Sequence, residues 1–308
     1  MAHSIGTPVF WASFILVVLF LLSIDLGIFN RRAHVVTVKE AFSWSIVWIV
    51  LSLSFGTYIY KTFGKQPGLE FFAGYLIEYA LSVDNIFVFI LIFSYFAVPA
   101  RFHHRILFWG ILSALIMRAT FIIAGAALIN TFHWILYIFG AFLVFTGIKI
   151  LRQGDTEVKP QRNPVVKLFQ RFVPMTSGYE SGKFFQRNEG KLMATPLALV
   201  LVTVEATDLV FATDSIPAIF GVTRDPFIVY TSNICAILGL RSMYFLISAV
   251  VNRFVYLGMG LGVVLGFIGF KMLLSGFYAV PIGLSLAIVA AILTGSIILS
   301  LICPPQNR

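Results

Sequence analysis

Two acidic signatures sit inside apolar stretches long enough to cross a lipid bilayer. The first reads Glu78-Tyr-Ala-Leu-Ser82-Val-Asp84-Asn85, the second Asp208-Leu-Val-Phe-Ala-Thr213-Asp214-Ser215, and Glu205 lies one turn ahead of the second. Both run acid, five residues, Asp, a small polar residue, then Ile. An ionised side chain near the middle of a bilayer costs about 3 kcal/mol on insertion scales. Glu78, Asp84, Glu205, Asp208 and Asp214 therefore need partners. Arg118 and Arg241, also within apolar runs, can pair with two of them, and the remainder suit a divalent cation, protons, or both. Ser82, Asn85, Thr207, Thr213 and Ser215 complete an all-oxygen donor set, which favours Mg²⁺, Ca²⁺ or Mn²⁺ over Zn²⁺ or Cu⁺. All five histidines lie in loops or at segment edges, and neither cysteine, Cys235 or Cys303, adjoins the acids.

Helix geometry constrains such a site. Glu205 and Asp208 share a face. Glu78 and Asp84 are six residues apart, which on a continuous helix is ~120° of rotation and ~9 Å of rise. One ion can bind both only where the helix is unwound. Pro217 lacks an N–H and leaves the Thr213 carbonyl without its helical donor, so a break is expected in the second signature, with Thr213 as a further ligand. Phe87 stands at the equivalent place in the first.

The elements that must position these residues follow from composition. The chain is 59% hydrophobic and 11% charged, with a mean hydropathy of +0.94. This describes an all-α polytopic membrane protein, read as one domain over residues 1–308. Nine spans are expected at 8–29, 41–60, 69–97, 105–130, 132–151, 192–216, 227–250, 254–276 and 280–302. The N-terminus lacks the basic residues of a cleavable signal and reads as an anchor starting outside. With that orientation fifteen basic residues fall on the cytoplasmic side, eight of them in the 152–191 loop, against Lys61, Lys65 and Arg224 on the other. This asymmetry is the positive-inside pattern, with the C-terminus inside. It also accounts for the net charge of +9 without nucleic acid. Within the loop, 163–172 reads as a short amphipathic helix on the lipid surface, and 183–193 as a hairpin turning at Asn188-Glu189-Gly190. Asp25 lies near the cytoplasmic end of the first span, by Arg31 and Arg32, as a secondary candidate at a pore exit.

Superposing the signatures exposes an internal repeat. Glu78 meets Asp208 and Asp84 meets Asp214. Arg118 then meets Arg241, and Phe145-Thr-Gly-Ile-Lys149 meets Phe267-Ile-Gly-Phe-Lys271. Glu205 aligns with Tyr75. Segments 3–5 and 6–8 read as two copies of a three-helix unit, and an odd number of spans inverts the second copy. Inverted repeats with polar residues at midmembrane are the build of many secondary transporters. In that reading Arg118 and Arg241 serve as ion-pair or gating residues. No Walker motif, HExxH or nucleophile–histidine pattern is present, so the chain reads as a non-enzyme without a prosthetic group. A membrane scaffold that loads metal into partners, or helps insert them, is the rival; a protease using Asp84 and Asp214 as a pair ranks below it.

The stretches GYLIEYALSVDNIFVF (74–89), WILYIFGAFLVFTGIK (134–149), ATPLALVLVTVEATDLVFATDSIPAIF (194–220) and TSNICAILGLRSMYFL (231–246) resemble the TerC (tellurium-resistance) family of integral membrane proteins, and within it the Alx-like branch. The likeness runs from the first span to the ninth. It implies kinship with the LysE superfamily of exporters and manganese efflux across a bacterial inner membrane. It also implies Mn²⁺ as the transported ion, handled by Glu78, Asp84, Asn85, Glu205, Asp208, Asp214 and Ser215, with membrane lipids as the other partner. Tellurite fits less well, since a core with five acids against two arginines repels an anion.

Overall fold

The computed structural model describes residues 4–29, 37–132, 134–153, 167–169, 171, 173–176, 179, 182–188, 191–248, 256–275 and 280–302. Helices dominate: α1 (Pro8–Phe29), α2 (Val38–Phe63), α3 (Lys65–Tyr95), α4 (Ala100–Thr131) and α5 (Ile135–Gln153), then α6 (Pro196–Phe220), α7 (Pro226–Leu238), α8 (Leu240–Ser248), α9 (Leu257–Leu274) and α10 (Ile282–Ile302). Among the described residues, six are long and apolar enough to cross a membrane: α2 to α6 and α10. Shorter apolar helices cover Pro8–Ile24, Pro226–Leu238 and Gly258–Leu274. The protein is a multi-pass, all-α integral membrane protein.

Local chemistry sets the joints. Gly64, at φ 99°, turns the chain between α2 and α3, a backbone conformation that costs a glycine little. Thr37 caps α2 by accepting the Glu40 amide at 3.3 Å. Asp225 caps α7 through the Phe227 amide at 2.9 Å. It also accepts Ser4 Oγ at 2.6 Å and the Ile5 amide at 2.7 Å, which ties the N-terminal segment to the start of α7.

Strands β1 (Phe185–Asn188) and β2 (Lys191–Ala194) pair antiparallel, from Phe185 opposite Ala194 to Asn188 opposite Lys191, as the sequence predicts. The hairpin runs straight into α6. Thr195 locks the junction, its amide donating to the Phe184 carbonyl at 2.9 Å and its hydroxyl to the Lys183 carbonyl at 2.6 Å. The sixth span therefore starts at 196, not 192. Of the expected amphipathic helix, residues 167–169 and 171 are described and helical; the rest lies outside the described residues.

Three further expectations are corrected. The stretch expected as one span at 227–250 is two helices meeting at Gly239. The third runs 65–95 rather than 69–97. The acidic signatures are not unwound: α3 is helical through 78–84 and α6 through 208–214. Pro217 lies within the last turn of α6, where one missing N–H removes a single ladder bond just before the helix ends.

The most extensive helix–helix contact is α5 against α9, made through glycines. A Cβ on Gly147 would lie 2.6 Å from the Gly262 carbonyl oxygen, and one on Gly269 would lie 2.6 Å from the Gly140 carbonyl oxygen. Small residues let backbones approach this closely, which is how membrane helices gain packing energy without a hydrophobic driving force. Two apolar clusters surround the polar centre. The larger joins α1–α7, α9 and α10; the smaller joins α3, α4, α6 and α8 near the hairpin. Phe184, where the hairpin begins, packs edge-on to Trp109 at 6.3 Å and under the Arg105 guanidinium at 5.4 Å. Arg105 also donates to the Gly182 carbonyl at 2.6 Å, and Tyr179 to the Phe96 carbonyl at 2.7 Å.

Candidate functional site

Three helices bring three charged side chains to one dry point. Glu78 comes from α3, Arg118 from α4 and Asp208 from α6, at 0%, 1% and 6% exposure. Arg118 donates through Nη1 to Glu78 Oε1, and through Nη2 to Asp208 Oδ1 at 3.1 Å. Asn85 Nδ2 donates to the same Asp208 oxygen at 3.4 Å. The planar guanidinium suits this bridge because its donors point outward as a rigid fork. The two carboxylates are the first acids of the two sequence signatures, Glu78 and Asp208.

The clamp leaves capacity unused. Glu78 Oε2, Asp208 Oδ2, Ser82 Oγ and Ser215 Oγ are buried without a hydrogen-bond partner, as is Arg118 Nε. Ser215 lies beside the Glu78 carboxylate, and Ser82 is one turn along α3 from it. These are hard oxygen donors around a centre holding two carboxylates and one cation. Their chemistry suits a small hard cation or water in place of the guanidinium.

The remaining candidates occupy other places. Glu205, one turn before Asp208 on α6, is half-buried. It faces Gly110 of α4, where an added Cβ would lie 3.3 Å from Oε1. Glu205 and Asp208 line a small cavity of about 20 Å³, enough for one water. Asp214 does not join the clamp. It accepts Thr146 Oγ1 of α5 at 3.3 Å and has Lys149 nearby, because a continuous helix turns it ~120° from Asp208. Thr213 is exposed, and its hydroxyl donates back to the Val210 carbonyl at 2.6 Å, so it turns away from the centre. Arg241 is buried at the start of α8. Asp84 and Asp25 lie on α3 and α1, but their side chains are outside the described residues. Among the described residues no three of His, Cys, Asp and Glu converge as a metal site; in this arrangement Arg118 stands between the two carboxylates. Sequence reasoning missed Thr146 and Asn233. The latter is a wholly buried amide in α7 with both polar atoms unpartnered. An asparagine inside an apolar run was the available signal.

Residues 63–308 match the family described as "Integral membrane protein TerC family". The chain belongs to the TerC family. Its relatives match end to end. A protein of Myxococcus xanthus named "Uncharacterized membrane protein STKORF319" is 51% identical over 299 residues, covering 97% of this chain and 94% of that one. The Escherichia coli K12 protein named "Putative membrane-bound redox modulator Alx" is 48% identical over 307 residues, covering 97% and 96%. A membrane protein of Rickettsia felis is 41% identical over 292 residues. No solved structure matches the chain. This TerC protein is thus similar over nearly all of its length to relatives named as membrane proteins.

Proposed function

We propose that this TerC protein exports Mn²⁺ from the cytoplasm across the bacterial inner membrane, through a midmembrane oxygen-lined site. One observation carries the reading: a buried arginine bridges the matching acids Glu78 and Asp208 while oxygens of both remain unpartnered. In this reading the guanidinium holds the place of the cargo. A divalent ion arriving at the pair supplies two charges where Arg118 supplies one. It releases the arginine and gains Ser82, Ser215 and Asn85 as further oxygen donors. Asp84 and Asp214 act as flanking stations on the route, and a proton taken by one carboxylate couples the return stroke. The matching arginine, Arg241, clamps the same acids in the opposite state.

That exchange requires nine spans, with the N-terminus outside and the two three-helix units inverted. The glycine contacts support it. Gly140 matches Gly262, and Gly147 matches Gly269, in the repeat. The contact Gly140–Gly269 therefore turns into Gly262–Gly147 under a two-fold axis, and both contacts are present. So are Gly147 against Gly266 and its counterpart Gly269 against Val144. An isologous interface obeys this rule.

The name carried by the Alx relatives suggests redox work instead. Within the described residues the one free cysteine, Cys235, is buried in α7 against a largely apolar cavity of about 360 Å³ between α1, α2 and α7. A thiol there lacks the exposure and positive surroundings of reactive cysteines. The deciding measurement is Mn²⁺ efflux from loaded vesicles with wild-type protein, Glu78→Gln, Asp208→Asn, Asp84→Asn and Asp214→Asn, each checked for insertion and monodispersity. Loss of efflux in inserted Glu78→Gln and Asp208→Asn is expected. Wild-type efflux in both removes the proposed site.

A further inference from the structure

The two halves match at the clamp but not beside it. In the repeat Gly110 of α4 corresponds to Asn233 of α7, since Arg118 corresponds to Arg241, and Glu205 of α6 corresponds to Tyr75 of α3. The seam between α4 and α6 thus carries a glycine facing a carboxylate. The seam between α3 and α7 carries an asparagine and a tyrosine at the same places. The consequences are visible in the packing. At the first seam Glu205 is half-buried, Gly110 leaves its side open, and the cavity beyond them is lined by Phe89, Leu107, Val204 and Asp208. Asp208, which holds the clamp and has an oxygen without a partner, is reached directly from that cavity. At the second seam Asn233 is 0% and Tyr75 7% exposed. Tyr75 sits in a column between Phe71 and Tyr79, with ring centroids 6.3 and 5.5 Å apart, and Ser52 of α2 lies against it. Gly74 is so close to α7 that a Cβ would lie 2.7 Å from Ser232 Oγ.

We infer that the clamp is approached from one seam only, between α4 and α6 past Glu205, and that the missing side chain at Gly110 keeps this seam passable to water and a hard cation. On the hairpin side of Gly110, Arg105 and the adjacent Trp109 of α4 pack against Phe184. Leu240, at the start of α8, borders the same cavity, so a movement of α8 changes its width. At the opposite seam Tyr75, Asn233 and Ser52 of α2 are all buried. The inference deepens the export reading by naming the path to its site, but its test does not depend on transport.

The test is thiol accessibility in open membrane fragments, using a small charged methanethiosulfonate. The background has Cys235→Ser and Cys303→Ser. Glu205→Cys is expected to react at least ten times faster than Tyr75→Cys. Adding Gly110→Asn, which copies the closed half, is expected to slow Glu205→Cys about tenfold. Gly110→Ala, whose extra carbon comes to 3.3 Å from Glu205 in the unmodified protein, covers the case in which the asparagine variant fails to insert, and a smaller slowing is expected of it. Equal rates at positions 205 and 75 overturn the one-sided approach. An unchanged rate at 205 with the larger side chains at 110 overturns the role of Gly110. Vesicles that fail to move Mn²⁺ while these rates hold would remove the export reading and leave the path standing.

Discussion

Replacing Arg118 by methionine isolates the energetics of the clamp. The substitution keeps most of the side-chain volume and removes the one cation between two carboxylates that are 0% and 6% exposed. Breaking a buried pair by removing one partner costs about 3–5 kcal/mol, because the other charge is left uncompensated; here two are left. Asp208→Asn removes the negative charge to which both Arg118 and Asn85 donate but leaves the Glu78–Arg118 ion pair, which is neutral in sum, so its cost is about 1–3 kcal/mol. Glu78→Gln leaves Arg118 paired with Asp208. It also leaves the Asn85 hydrogen bond to Asp208 intact, so it costs the least of the three. The order Arg118→Met > Asp208→Asn > Glu78→Gln follows. Combining Arg118→Met with Glu78→Gln should recover at least ~1 kcal/mol relative to additivity, since residues sharing one network couple by about 0.5–3 kcal/mol. Equilibrium unfolding in a mild detergent with added denaturing detergent measures all four proteins. A cost below ~1 kcal/mol for Arg118→Met, or no coupling in the double variant, would falsify the clamp as the organising contact of the core.

Other expectations rest on single contacts. Gly147→Ala and Gly269→Ala each drive a methyl to 2.6 Å from a backbone oxygen across the α5–α9 contact. They should each destabilise by about 1–3 kcal/mol, while Gly266→Ala, with nothing near its added carbon, should stay within ~0.5 kcal/mol of wild type; the same unfolding assay compares them. Asp225→Ala removes the α7 cap and the tie to Ser4 and Ile5, an expected loss of about 1–2 kcal/mol seen also as faster proteolysis near the N-terminus. Tyr179→Phe deletes the hydrogen bond to the Phe96 carbonyl. It should cost about 1 kcal/mol and raise amide exchange around the α3–α4 turn, with efflux unaffected.

Much of this molecule was legible from residue types alone. A 59% hydrophobic chain with its charges gathered between apolar runs has to satisfy its backbone internally, so helices were fixed before any contact was known. The hairpin was legible too, because Asn188-Glu189-Gly190 is turn chemistry between two short runs. The acids and the two arginines within apolar runs marked where polar chemistry had to lie. What failed was the step from spacing to assembly. A six-residue interval predicts broken helices around one ion. The helices instead run through, and each acid of a signature meets a different neighbour: Asp208 meets Arg118 and Asn85, and Asp214 meets Thr146.

Residue types and spacing carry an inventory and a set of angles: which charges lie in the apolar segments, and how far around a helix each is turned. That the first acids of the two signatures, Glu78 and Asp208, share one arginine while Asp214 faces α5 comes from the packing of helices distant in the chain. Helical periodicity sets the direction of a side chain from its own axis but says nothing of which helix lies there. That is set by packing among α3, α4 and α6, and by glycines that let α5 and α9 close on each other.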